Sequence, residues 1–190
     1  MKYRSLVSIA TSLLLLFTAS ACQKTEKTDA TPSATVSTAK PALLEAGAAA
    51  PDIHATSQTG EAVSLAALRG KPVVVYFYPK DDTPGCTIEA EELRDLHGEI
   101  QQTGAVVIGV STDDGASHQA FAEKYALPFL LLPDTDARIA GAFGVPLKNG
   151  RARRVTFVIG KDGVVKKVFP DVRPKGHGSE VLEALRAAAG

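Results

Sequence analysis

The stretch VVVYFYPKDDTPGCT, residues 73–87, decides how the rest of the chain is read. Residues 73–78 are all β-branched or aromatic and carry no charge, the composition of a central strand buried on both faces. Pro79, Asp81, Asp82, Pro84 and Gly85 then end that strand in a turn. Beyond it, Leu93, Leu96 and Ile100 recur at helical spacing, so a helix is expected over residues 87–102. Cys86 therefore falls in the first turn of a helix, at the carboxyl end of a buried strand, where open α/β sheets place their sites.

Working outward, residues 105–111 and 129–132 read as further buried strands, and residues 116–125 as a helix ended by Pro128. Residues 136–143 form a short helix with Gly144 after it. Residues 155–159 and 164–169 flank Lys161-Asp162-Gly163, a hairpin turn, and residues 179–189 form a last amphipathic helix. Residues 53–65 read as a small hairpin turning at Gly60. The order is parallel strands first, an antiparallel pair last and a closing helix. It implies an α/β thioredoxin-like fold, a mixed central sheet flanked by helices with an added N-terminal β-hairpin. Residues 51–190 are the size of one domain.

The chain has 190 residues, with 21 basic and 21 acidic side chains. That balance argues against a nucleic-acid partner bound through a net basic surface and against a polybasic membrane-surface protein. At 45% hydrophobic and 22% charged, the chain is too apolar to be disordered throughout. Two cysteines and four histidines make neither a disulfide scaffold nor a zinc site, and no metal or cofactor is expected.

The N-terminus reads as an address. Lys2 and Arg4 precede an apolar run over residues 6–17, followed by Ala19, Ser20, Ala21 and Cys22. Residues 1–21 have the anatomy of a secretory signal peptide. Ala19-Ser20-Ala21-Cys22 resembles a bacterial lipobox, with Ala19 where that pattern usually has leucine; Cys22 would then be the lipidated first residue. An ordinary cut after Ala21 would instead leave Cys22 as a free thiol. Residues 22–50 are rich in Thr, Ala, Ser and Pro, with Leu43 and Leu44 as exceptions, and read as a flexible tether. The expectation is a domain exported to the bacterial periplasm and anchored to a membrane through Cys22.

The chemistry centres on Cys86. Unpaired N–H groups and the dipole at a helix N-terminus favour an anion, and such positions lower a cysteine pKa into a range of about 3.5–7.5. Thr83 can offer its hydroxyl to a thiolate or substrate oxygen, or cap the helix. Glu89, Glu91 and Glu92 bring like charge close, so a cation should compensate. Arg153 and Arg154 stand at the start of the strand over residues 155–159, and the sequence alone leaves both open. The absence of Cys-x-x-Cys weighs against a dithiol oxidoreductase and against a copper chaperone of related fold. His54, His97, His118 and His177 lack ligand spacing. His97 is expected at the surface or partly packed. Asp81–Asp82 and Asp113–Asp114 read as solvated loop carboxylates, and residues 175–178 as the loop leading into the last helix.

Pro79-x-x-x-Thr83-x-x-Cys86 matches the active-site motif of the peroxiredoxins. With STDD, FAEKYALPFLLLPD and RVTFVIGKDG further on, residues 51–190 resemble the peroxiredoxin Q or bacterioferritin-comigratory subfamily. The resemblance implies a thiol peroxidase in which Cys86 attacks the peroxide and becomes a sulfenic acid. It also implies that Thr83 bonds the peroxide, Pro79 shields the pocket and Arg154 is the active-site arginine. Many relatives carry a resolving cysteine five residues after the first; here Glu91 stands there, and no cysteine follows Cys86. A one-cysteine enzyme is thus implied, reduced by an external thiol (a thioredoxin-like protein or a small thiol) and acting as a monomer or weak homodimer. Two other functions compete: a non-catalytic thioredoxin-like lipoprotein that binds a partner, and a periplasmic thiol-disulfide exchanger.

Overall fold

A computed structural model describes residues 42–188, which belong to one compact unit. The five-stranded sheet is built from β3 (Val73–Phe77), β4 (Val106–Ser111), β5 (Leu130–Pro133), β8 (Val155–Ile159) and β9 (Val165–Phe169), in the order β5-β4-β3-β8-β9. β3, β4 and β5 run parallel, whereas β8 is antiparallel to both β3 and β9. Before the sheet, β1 (His54–Thr56) and β2 (Ala62–Ser64) form the expected N-terminal hairpin. The mixed central sheet and its flanking helices agree with the α/β thioredoxin-like expectation.

Strand alternation builds two cores. Val73, Val75 and Phe77 face one side of the sheet with Ile108, Val110, Phe157 and α4 (Arg138–Ala142). Val74, Tyr76 and Tyr78 face the other. There they meet α1 (Pro84–Asp95), α2 (His97–Gln102), α3 (Gly115–Tyr125) and α5 (His177–Ala188). Gly109 of β4 leaves room for the Tyr76 ring; a Cβ there would sit 2.7 Å from it.

The structure corrects several details. The helix expected over 87–102 starts at Pro84 and breaks at Leu96 into α1 and α2. The helix α3 ends at Ala126 in a left-handed conformation (φ 51°), ahead of Pro128. A further hairpin, β6 (Leu147–Lys148) with β7 (Arg151–Ala152), was not anticipated, although Asn149-Gly150 is a strong two-residue turn signal. The last stretch of the expected tether, residues 42–50, is part of the fold. Leu43 and Leu44 pack on the core, and backbone hydrogen bonds join Ala48 and Gly47 to Val165 at 2.9 and 2.8 Å. The expected signal peptide, Cys22 and the rest of the expected tether lie outside the described residues.

Candidate active site

Cys86 is the third residue of α1, directly after Pro84 and Gly85. Pro84 has no N–H to lose and starts the helix with its φ already set. Thr83 takes the N-cap backbone conformation (φ −100°, ψ 147°), but its side chain does not cap the helix. The Thr83 hydroxyl instead donates to the Lys80 carbonyl at 3.0 Å. Cys86 is 1% exposed and lies in the core layer between β3 and the helices.

Between the two candidate arginines, the geometry is unequal. Arg154 Nη2 lies 3.4 Å from Cys86 Sγ, and its Nη1 pairs with Glu89. Arg153 points elsewhere, to Asp171 at 3.9 Å, with both side chains largely exposed. β8 is antiparallel to β3, so the residues entering β8 arrive at the end of β3 from which the Cys86 turn departs. Gly85 allows the approach: a Cβ there would lie 3.2 Å from Arg154 Nη2. Pro79 is half-buried and lines, with Arg153 and Arg154, a cavity of about 420 Å³. The structure thus brings Cys86 and Arg154 into contact, places Pro79 with Arg154 on one cavity and leaves the Thr83 hydroxyl on the loop between them.

The three glutamates feared as like charge are each accounted for. Glu89 is buried against Arg154; burial pushes its carboxyl up to about 7, with the Arg154 charge opposing that rise. Burial would lower the Arg154 pKa, but the Glu89 and Cys86 charges outweigh it and raise it. Glu91 turns to Arg94 at 3.5 Å. Glu92 accepts the Gly176 and Gly178 N–H groups at 2.6 and 3.1 Å, capping the start of α5 from α1. Glu89 is the site residue that sequence reasoning named only as an opponent; its spacing three residues after Cys86, on the same helix face, was the available signal.

Asp81 departs from the solvated-loop expectation. It is buried and accepts hydrogen bonds from the Tyr78 hydroxyl (2.7 Å) and the Ser117 hydroxyl (2.7 Å), with His118 Nδ1 at 2.8 Å. Burial opposes its ionisation, yet these partners hold the carboxyl below the usual range. Asp82 stays exposed and pairs with Lys124 at 2.7 Å. Together the two aspartates tie the loop before Cys86 to α3. His177, expected in a loop, is a buried first residue of α5 with Nε2 2.9 Å from Thr156 Oγ1. His97 is partly buried, as expected.

A family model described as the AhpC/TSA family matches residues 46–168, starting within the segment that packs on the sheet. A Populus jackii protein named peroxiredoxin Q, chloroplastic, is 43% identical over 149 residues, covering 77% of this chain and 70% of that protein. A solved structure of Xanthomonas campestris peroxiredoxin Q superposes with a TM-score of 0.72 at 36% identity, covering 78% of this chain and 99% of that one. Peroxidoxin BcpB from Mycobacterium tuberculosis gives a TM-score of 0.71 at 35% identity, with coverage of 76% and 97%.

Proposed function

Because this chain belongs to the AhpC/TSA family and is a peroxiredoxin-type, thiol-dependent peroxidase, we propose that Cys86 is its peroxidatic nucleophile. The observation that carries this reading is the 3.4 Å contact between Arg154 Nη2 and Cys86 Sγ at a helix N-terminus. The guanidinium and the oriented helix N–H groups there are placed to stabilise negative charge as the sulfur reacts. The sulfur attacks the nearer peroxide oxygen and the O–O bond breaks. The other oxygen leaves with the bonding electron pair and takes a proton, so a thiol and a hydroperoxide become a sulfenic acid and an alcohol, or water from hydrogen peroxide. Arg154 stabilises the charge moving onto the leaving oxygen. The Thr83 hydroxyl donates to Lys80 and retains lone pairs to accept from the peroxide. Pro79 shields the pocket side of Arg154.

The cycle closes through an external thiol. Cys22 and Cys86 are the chain's two cysteines, and Glu91 occupies the position of the common resolving cysteine. The sulfenic acid is therefore reduced by a thioredoxin-like protein or a small thiol, through a mixed disulfide. Export to a bacterial periplasm with Cys22 as a lipid anchor completes the proposal, on the strength of residues 1–22. Palmitate labelling that vanishes in Cys22→Ala is the expected result; normal export without labelling would remove the anchor.

The decisive experiment is stoichiometric oxidation by hydrogen peroxide, followed by dimedone trapping and mass analysis of the Cys86 peptide. A Cys86 adduct formed far faster than on free cysteine is expected. No adduct, with reduction of model disulfides instead, would favour the disulfide-exchange reading.

A further inference from the structure

The cavity shared by Pro79 and Arg154 also runs along the β6–β7 hairpin, through Lys148, Asn149, Arg151 and Arg153. In this hairpin Lys148 and Arg151 are directly opposite across the strand pair. Like charges in that relation destabilise a hairpin. Here the turn compensates: Asn149 and Gly150 both take positive φ (53° and 75°), the conformation of a tight two-residue turn matched to strand twist. Neither Lys148 nor Arg151 has an acidic side chain within ion-pair distance among the described residues. Of the other two cations on the cavity, Arg154 is paired with Glu89 and Arg153 sits 3.9 Å from Asp171, the one carboxylate lining the cavity. A local rule broken without a partner nearby is the kind of departure that marks a functional surface.

We propose that Lys148 and Arg151 form a subsite for the carboxylate of an organic hydroperoxide whose peroxide end sits at Cys86 and Arg154. This rests on the reading of Cys86 and Arg154 given above. A small anion fits better than an acidic protein face because the cations line a concavity of about 420 Å³, a ligand-pocket volume. Arg154 lines the same concavity, so a peroxide bound to it has this space for its substituent. Lys148 and Arg151 are exposed, and exposed charges add selectivity and capture rate more than tight binding.

The test compares cumene hydroperoxide with its para-carboxylate analogue, two substrates alike at the reacting end and different in charge. Single-turnover oxidation of Cys86 in the full chain, read as the dimedone adduct, gives the ratio of their rate constants. At low salt the anion is expected to react about fivefold faster, the size of one or two solvent-exposed charge contacts. The ratio should fall toward one in 0.5 M salt and in Lys148→Ala/Arg151→Ala, and be kept in Lys148→Arg/Arg151→Lys. A ratio near one in the unaltered protein at low salt overturns the proposal. So does a ratio that the double alanine variant leaves intact. Slower reduction of that variant by an acidic thiol protein, with the peroxide ratio unchanged, also overturns it and assigns the hairpin to the reductant. Failure of both peroxides to oxidise Cys86 would sink the peroxidatic reading and this proposal together.

Discussion

Arg154 Nη2 stands 3.4 Å from Cys86 Sγ, although 68 residues separate them in the chain. The contact is made by sheet topology: β8 lies antiparallel beside β3, and the loop entering β8 meets the turn leaving β3. It is also selective, since the adjacent Arg153 turns away to Asp171. Arg154→Ala should slow hydrogen peroxide reduction about 100-fold, the usual cost of removing a donor aimed at developing charge. Arg153→Ala should change it a few-fold at most. Stopped-flow oxidation rates decide; equal losses would undo the assignment of Arg154.

Gly85 supports that contact sterically. A Cβ at this position would be 3.2 Å from Arg154 Nη2 and 3.6 Å from the Pro174 ring. Gly85→Ala should push the guanidinium off the sulfur and reduce the peroxide rate about tenfold, as a small misplacement does at a reacting centre. Alanine suits a helical position, so the melting temperature should hardly fall. A normal rate in Gly85→Ala would show that Arg154 has freedom to move aside.

Glu89 makes stability depend on pH with a defined sign. Its folded pKa of about 7 lies above the ordinary value of 4.5, so the folded state keeps a proton that the unfolded chain releases. The contribution is whole below pH 4.5 and is lost as pH rises to about 7, amounting to about 3 kcal/mol at most. Glu89→Gln has no such titration. The unaltered protein should therefore lose stability relative to Glu89→Gln between pH 5 and pH 8 in urea denaturation. Parallel curves for the two proteins would refute it.

Asp81 works in the opposite direction. Tyr78, Ser117 and His118 hold its carboxyl below the usual range against the effect of burial, so its contribution is present above pH 4 and fades in stronger acid. Asp81→Ala should cost about 3 kcal/mol at pH 7, because it strands buried partners. The gap to the unaltered protein should narrow at pH 3. A cost below about 1 kcal/mol at pH 7 would mean that the loop does not depend on this cluster.

Reduction by an external thiol gives a last prediction. Cys22→Ala should turn over peroxide with a small thiol as fast as the unaltered chain, within twofold. Loss of turnover in that variant, with a Cys22–Cys86 disulfide in the unaltered chain, would replace the one-cysteine scheme by an internal one.

Much of this protein is legible along the chain because its signals are local. The uncharged run 73–78, the Pro-Gly turn and the helical spacing after it put Cys86 at a helix start, and the structure agrees. The succession of strands and helices along the chain follows from the same periodicities, whereas the sheet order β5-β4-β3-β8-β9 is set by packing. The β6–β7 hairpin is equally local, but strands of two residues each are too short to show a period. Leu43 and Leu44 misled for another reason. An apolar pair in a polar stretch carries no period, and only the folded core shows what it packs against.

Charge partners were decided in three dimensions. A run of residues states how many carboxylates lie near Cys86, but not where each one points. Glu89 turns inward to Arg154, Glu91 along the helix to Arg94 and Glu92 across to α5. Asp81 and Asp82 are neighbours, yet one is buried on His118 and the other meets Lys124 at the surface. Electrostatic energy depends on distance and on the medium between the charges, and both are set by the packing of segments far apart in the chain. Chain order therefore supplies the thiol and the helix that presents it, while tertiary packing selects the cation that faces it.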